Sequence, residues 1–263
     1  MDVKELPVFT PTIDPICTGN VATIQLDNKV ESFTVSWTST SAQEVNVVGE
    51  SDGVDSYTTT ETFTNSTNFS IVGYANGCAS EKKTASLTVN AKPDIQITCD
   101  PIDKATCQET GTATLTATGG VATQYVWTLE NTVIANGTDK ATISNINTAG
   151  SYTYKVVGEN ESGCQNEASI AITVNEKPTV SIKVEDGPIC VGSSKELTAE
   201  STAGTYVWYN ENGQQVGVGE KISPVFNSTT AVKYSVEATD NNGCKATTVT
   251  IPPVTTFPVN GSL

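Results

Sequence analysis

The chain contains no histidine and no arginine. Without histidine it lacks the usual general base at neutral pH and the commonest metal ligand. Without arginine it lacks the planar fork that grips carboxylates and phosphates bidentately. No Ser-His-Asp set can be assembled, and the chemistry left is that of carboxylates, as in glycoside hydrolysis. Cations are scarce as well, 14 lysines against 29 acidic residues, for a net charge of −15 and a pI near 4.3. Such a surface repels nucleic acid and anionic lipid, so neither is an expected partner. No apolar run is long enough to span a bilayer, and no basic-then-apolar leader opens the chain. If the protein is exported, the sequence is expected to be a mature or excised piece, or else Met1 is an added residue, the excised piece being favoured. No long stretch keeps a 3.6-residue apolar period, and Thr, Val, Ser and Ile dominate the patterned segments.

What is present is repetition. "TVNAKPDIQI" at 88–97 returns as "TVNEKPTVSI" at 173–182, 85 residues on. Each copy reads as an alternating strand, a polar corner ending in proline, and a second strand. Pro93 and Pro178 stiffen these corners and interrupt sheet pairing. A triplet of cysteine, tryptophan and cysteine recurs as Cys17, Trp37, Cys78; Cys107, Trp127, Cys164; and Cys190, Trp208, Cys244. Within the triplets the first interval is 20, 20 and 18 residues and the second is 41, 37 and 36. The second cysteine always closes a glycine turn: "ANGC", "ESGC", "NNGC". Self-similarity at this period divides the chain into units at 1–92, 93–177 and 178–263.

Units of this size bury modest cores and gain from cross-links. Each triplet's two cysteines are expected to pair, Cys17 with Cys78, Cys107 with Cys164 and Cys190 with Cys244; in a reducing compartment they would instead be buried thiols. A bridge from 107 to 164 stabilises its unit by roughly 4 kcal/mol in the chain-entropy account. Cys99 has no counterpart in the other repeats. It is a free thiol in the first strand, or forms an intermolecular bond or a local one to Cys107.

The second repeat parses into "DIQIT", "TATLTA", "QYVWTLE", "ATISNI", "SYTYKVVG" and "EASIAITV". Short alternating strands with a tryptophan in the third describe an immunoglobulin-like β-sandwich. The fold class is therefore all-β: three tandem immunoglobulin-like β-sandwich domains in an extended rod, on the order of 100 Å long at about 3.3 Å per strand residue. Tyr154 and Tyr234 take the core position of the sixth strand, where antibody domains carry a cysteine. With the first cysteine ahead of its strand and the second in the last hairpin, the bridge is expected to clamp one end of a sandwich.

The succession "IC-x-G-S", "L-T-A", "Y-V-W", "G-S-Y-T-Y-K-V" and "N-G-C" resembles the tandem immunoglobulin-like and PKD-like domains of gliding-motility-associated bacterial surface proteins. That resemblance implies export by type IX secretion, a very long adhesin as parent, and a place on the cell surface. Two features of the wider group are missing: the "W-x-F-G-D-G" signature after Trp127 or Trp208, and a sorting domain after Leu263.

Oxygen ligands gather in "ESDGVD", "DPID", "VEDG" and "TDNNG", making Asp52, Asp55, Asp186 and Asp240 the candidates for a structural calcium ion. Hairpin turns call for the same residues, and no EF-hand is present. Tyr209, on the strand face opposite Trp208, is the candidate ligand contact, for glycans above all. No acidic position recurs in all three repeats, so no catalytic residue and no cofactor beyond calcium is assigned, and the chain is expected not to be an enzyme. The expected function is a stalk or adhesive segment whose partners are neighbouring repeats of one long chain, surface glycans or other cell-surface proteins. The alternative is a glycan- or calcium-dependent binding module accessory to a secreted enzyme.

Overall fold

The computed structural model describes residues 3–38, 42–49, 52–185, 187, 189–228, 230, 232–248 and 256–257. Every regular element among them is a β-strand. Among the described residues no sheet mixes strands from different repeats: all strands of a given sheet fall within 11–90, 96–175 or 180–257.

Each repeat has a three-stranded sheet and a larger one. In the first, Pro11–Ile13, Thr23–Val30 and Val54–Thr58 form one sheet, and Ala42–Val48, Ser32–Thr38 and Thr67–Ala75 lead the other. In the second, Gln96–Asp100, Thr112–Thr118 and Lys140–Ser144 face the order Ala105–Cys107, Gln165–Asn175, Gly150–Glu159, Gln124–Leu129, Thr132–Asn136. In the third, Val180–Val184, Leu197–Ser201 and Lys221–Ile222 accompany Gln215–Val218, Thr205–Asn210, Tyr234–Thr239 and Lys245–Thr247. These are tandem immunoglobulin-like sandwiches, as the alternation predicts. Thr112–Thr118 shows why: Ala113, Leu115 and Ala117 are buried while the threonines between them are not.

The three tryptophans occupy the cores. Trp127 and Trp208 are fully buried, and Trp37 packs at a tilt against Phe69 with ring centroids 5.3 Å apart. Tyr154 and Tyr234 are buried as expected. Two residues before Tyr154, the Tyr152 hydroxyl donates to the Thr148 carbonyl at 2.8 Å and so ties the strand to the loop ahead of it.

Each first cysteine lies on a short strand that pairs in parallel with a strand late in its own repeat, the end of Gln165–Asn175 in the second and the two-residue strands Val89–Asn90 and Thr256–Phe257 in the first and third: Cys17 opposite Asn90, Cys107 opposite Asn175, Cys190 opposite Phe257. Two residues later the backbone turns left-handed, at Gly19 (φ 87°), Glu109 (φ 67°) and Gly192 (φ 86°). The N–H at that position donates to Phe63, Ile146 and Phe226 respectively, at 2.8–2.9 Å. The glycine of "C-x-G" thus answers a φ that other side chains resist. In the second repeat Glu109 takes that φ itself, and Gly111 is required for a different reason: a Cβ there would collide with Thr106 Oγ1 and the Cys107 backbone.

The indoles differ in one respect. Trp208 Nε1 donates to the Gly219 carbonyl at 2.8 Å and Trp37 Nε1 donates to Glu61, whereas the buried Trp127 Nε1 has no partner among the described residues. Trp127 faces Ala135, eight residues on, and Trp208 faces Gly217, nine on, so the shorter hairpin presents a different stretch of backbone to the indole. Trp208→Phe orphans the Gly219 carbonyl, while Trp127→Phe removes an unsatisfied donor. Trp208→Phe should destabilise its repeat by about 1–2 kcal/mol more than Trp127→Phe does. Native-state hydrogen exchange of the flanking strands in each variant checks this, and equal losses would contradict it.

Candidate functional site

The chemistry-bearing features of the structure are its cysteine bridges, and they do not follow the expected pairs. Cys17 bonds Cys164, with Cα atoms 5.6 Å apart, and Cys107 bonds Cys244 at 5.5 Å. Cys78, Cys99 and Cys190 are free thiols. The expected pairs Cys17–Cys78, Cys107–Cys164 and Cys190–Cys244 are therefore all corrected. Each bridge joins the first cysteine of one repeat to the second cysteine of the next.

Strand length explains the correction. Cys107 lies opposite Asn175, the last residue of Gln165–Asn175, whereas Cys164 immediately precedes that strand. Eleven strand residues at about 3.3 Å each put the two cysteines roughly 35 Å apart, far beyond the ~7 Å between Cα atoms that a disulfide spans. In the first repeat Cys17 likewise faces Asn90, twelve residues past Cys78. The parallel pairing carries Cys17 and Cys107 to the joint, where the next repeat's last hairpin arrives. The expected clamp on one end of a single sandwich is corrected along with the pairs: each bridge joins two repeats at their seam.

By contact density the chain divides into two compact units, each holding one bridged seam. The first comprises Met1–Gln96, Thr118–Tyr125 and Val157–Glu167. Here Asn160 Oδ1 accepts the N–H groups of Ser162 and Cys164 at 3.0 Å, which shapes the hairpin and presents the buried Cys164. The Asn160 side-chain amide also donates to the Ala91 carbonyl at 2.8 Å, and that of Asn166 to the Pro93 carbonyl at 2.9 Å. Ile95, just past the proline corner, packs where a Cβ on Gly158 would come within 2.4 Å of it. The proline corner is thereby tied by a covalent bond, two hydrogen bonds and an apolar contact.

The second unit comprises Ile97–Ala117, Val126–Val156 and Ala168–Leu263. Its hairpin has the same frame with aspartate in place of asparagine: Asp240 Oδ1 accepts the N–H groups of Asn242 at 2.9 Å and Cys244 at 2.8 Å. At the corner, Gln108 Oε1 accepts the Lys177 N–H at 3.3 Å and Lys177 Nζ pairs with Glu109 at 2.9 Å. That ion pair is exposed and adds little beyond orientation. An open cleft of about 600 Å³ flanks the bridge, lined among others by Asp103, Thr110, Asn241 and Lys245.

The other sequence candidates lie apart. Asp52 pairs with Lys29 at 3.0 Å, and that hydrogen bond, with the lysine charge, lowers its pKa below the ordinary value. Asp55 lies on Val54–Thr58. Asp240 is engaged in the hairpin, and Asp186 lies outside the described residues. Among the described residues no three acidic or cysteine side chains are grouped to hold a metal ion. Tyr209 is half-buried, between Ser235 and Gln215 in the sheet register. Cys99 is half-buried, and burial, with Asp100 and Asp103 next in order, raises its thiol pKa.

The local frame of the seam was in the sequence, as "C-x-G", "N-x-x-G-C" and "D-x-x-G-C"; the seam's partners were not. Sequence reasoning gave no seam role to Asn160, Asn166 or Gln108, whose signal for it was their place beside the cysteines and the proline corners.

Residues 176–258 match the family described as "Ig-like domain CHU_C associated". No curated protein matches the chain. Among solved structures, the three N-terminal domains of the highly immunogenic outer capsid protein of bacteriophage RB49 align with a TM-score of 0.38 at 14% identity, over 95% of this chain and 99% of that one. A structure from a 1.5-MDa bacterial ice-binding adhesin aligns with a TM-score of 0.34 at 15% identity, over 98% and 100%. The mouse nectin-like molecule 4 ectodomain gives 0.33 at 12% identity, over 97% and 100%.

Non-reducing peptide mapping should recover Cys17 linked to Cys164 and Cys107 linked to Cys244; peptides joining Cys17 to Cys78 or Cys107 to Cys164 would overturn the seams. Reduction should speed amide exchange at 16–18 and 160–164 by about tenfold or more, because the hairpin is then held to the corner by non-covalent contacts alone.

Proposed function

We propose that this chain is a non-enzymatic stalk and adhesive segment of a large exported bacterial cell-surface protein, holding a binding tip away from the cell or presenting weak contacts along its length. The observation that carries this reading is the bridging of successive repeats across both proline corners. A stalk must pass load through its joints without letting neighbouring domains part, and a covalent bond between neighbours does that. Disulfides persist in oxidising surroundings, which supports an extracellular setting. The immunoglobulin-like family match over 176–258 and the absence of histidine and arginine support a binding or structural role over catalysis. The finer identity, a gliding-motility-associated adhesin exported by type IX secretion, rests on the sequence resemblance. Its partners would be neighbouring repeats of the same chain, surface glycans or other cell-surface proteins.

The bridges interlock, so the shortest taut path runs from the N-terminus to Cys17, crosses to Cys164, runs back to Cys107 and crosses to Cys244. About 90 residues then bear the load, a contour of roughly 320 Å against roughly 920 Å for the reduced chain at about 3.5 Å per residue. Single-molecule pulling from the two termini should show extension stopping near the shorter length when oxidised and reaching the longer one with reductant. An oxidised chain that pulls out to the full contour would refute the load-bearing stalk.

A further inference from the structure

We propose that Cys190 and Cys78 are the two open halves of the same inter-repeat bond: Cys190 takes the hairpin cysteine of another immunoglobulin-like repeat, and Cys78 takes the short-strand cysteine of another. The inference stands on the bonded seams and not on the stalk function.

Cys190 occupies a position that the chain contains three times. Cys17, Cys107 and Cys190 each lie on a short strand paired in parallel with a strand late in the same repeat. Each is followed two residues later by a left-handed residue whose N–H is bonded to the same loop of its sandwich. Two of the three are joined to the next repeat's hairpin, and the third is an exposed thiol. Cys78 is the mirror case. Cys78, Cys164 and Cys244 each directly follow the glycine of the hairpin between the last two strands, and two of the three are bonded to the repeat before. Its hairpin is the tighter copy, a two-residue turn at Asn76 and Gly77 (φ 54° and 76°), and it leaves the thiol half-buried but unbonded. The ligand of Cys190 is thus defined chemically as a β-hairpin with a Gly-Cys turn, either on a second copy of this chain or on a repeat that follows it in one polypeptide.

Cys99 does not compete. It has no equivalent in the other repeats, and burial raises its thiol pKa, which lowers the thiolate fraction available for exchange.

The step is an oxidation. Two thiols lose two protons and two electrons to form one S–S bond, and a low-molecular-weight disulfide, such as oxidised glutathione, is reduced to two thiols by exchange.

The purified chain should be incubated in an oxidised/reduced glutathione buffer and separated without reductant. A single polypeptide carrying two copies in tandem, in which Cys190 and the second copy's Cys78 lie 151 residues apart, is treated alongside it. That spacing is close to the 147 and 137 of the existing bridges. Peptide mapping should show Cys190 linked to Cys78, with Cys17–Cys164 and Cys107–Cys244 retained. The link in multimers of the single chain identifies a second copy as sufficient, and the link in the tandem alone identifies a following repeat. Cys190→Ser and Cys78→Ser should each abolish it, while Cys99→Ser leaves it intact. Quantitative alkylation of Cys190 in both proteins, or linkage of Cys190 to Cys99 or to another Cys190, overturns the proposal.

Discussion

Everything at the seams depends on the parallel pairing of a two- or three-residue strand with a strand late in its own repeat. Hydrogen bonds at Ile16–Cys17 and Ala105–Cys107 place a cysteine at the end of the sandwich where the chain passes into the next repeat. Were the segment antiparallel or shifted by several residues, the thiol would fall along the edge of its own sandwich. The left-handed turn two residues on then returns the chain to the core sheets. A short backbone pairing thus decides which thiols can meet.

Around each bridge the polar groups act in concert. The Asx frames of Asn160 and Asp240 fix the hairpins that present Cys164 and Cys244. In the first unit Asn160 and Asn166 also hold the carbonyls on either side of the proline corner, and in the second Gln108 and Lys177 do comparable work. Proline removes a donor from each corner, so these side chains supply contacts that sheet pairing does not. Covalent and non-covalent restraints coincide at the corners.

Much of the fold was legible along the chain. In the second repeat all six expected strands formed, within about three residues of their expected ends, because alternation of small apolar residues with threonine has a single reading on a half-buried sheet. Ala105–Cys107 and Thr132–Asn136 escaped notice. The first is too short to show a period, and the second is an edge strand whose Val133 and Ile134 are both exposed. The acidic clusters were ambiguous for a physical reason: hairpin turns and calcium loops draw on the same residues. At Asp240 the oxygen is committed to hairpin amides.

The sequence by itself determined the β-class, the repeat, the buried tryptophans and the special cysteine positions, since each is a matter of local pattern or of spacing within one repeat. Tertiary structure alone decided which cysteine bonds which. A disulfide depends on the distance between two Cα atoms, and residues 57 apart in one sandwich can stand at its opposite ends while residues 137 or 147 apart meet across a joint. Spacing along the chain records that the cysteines belong to equivalent places, and the path of the strands sets which of those places touch.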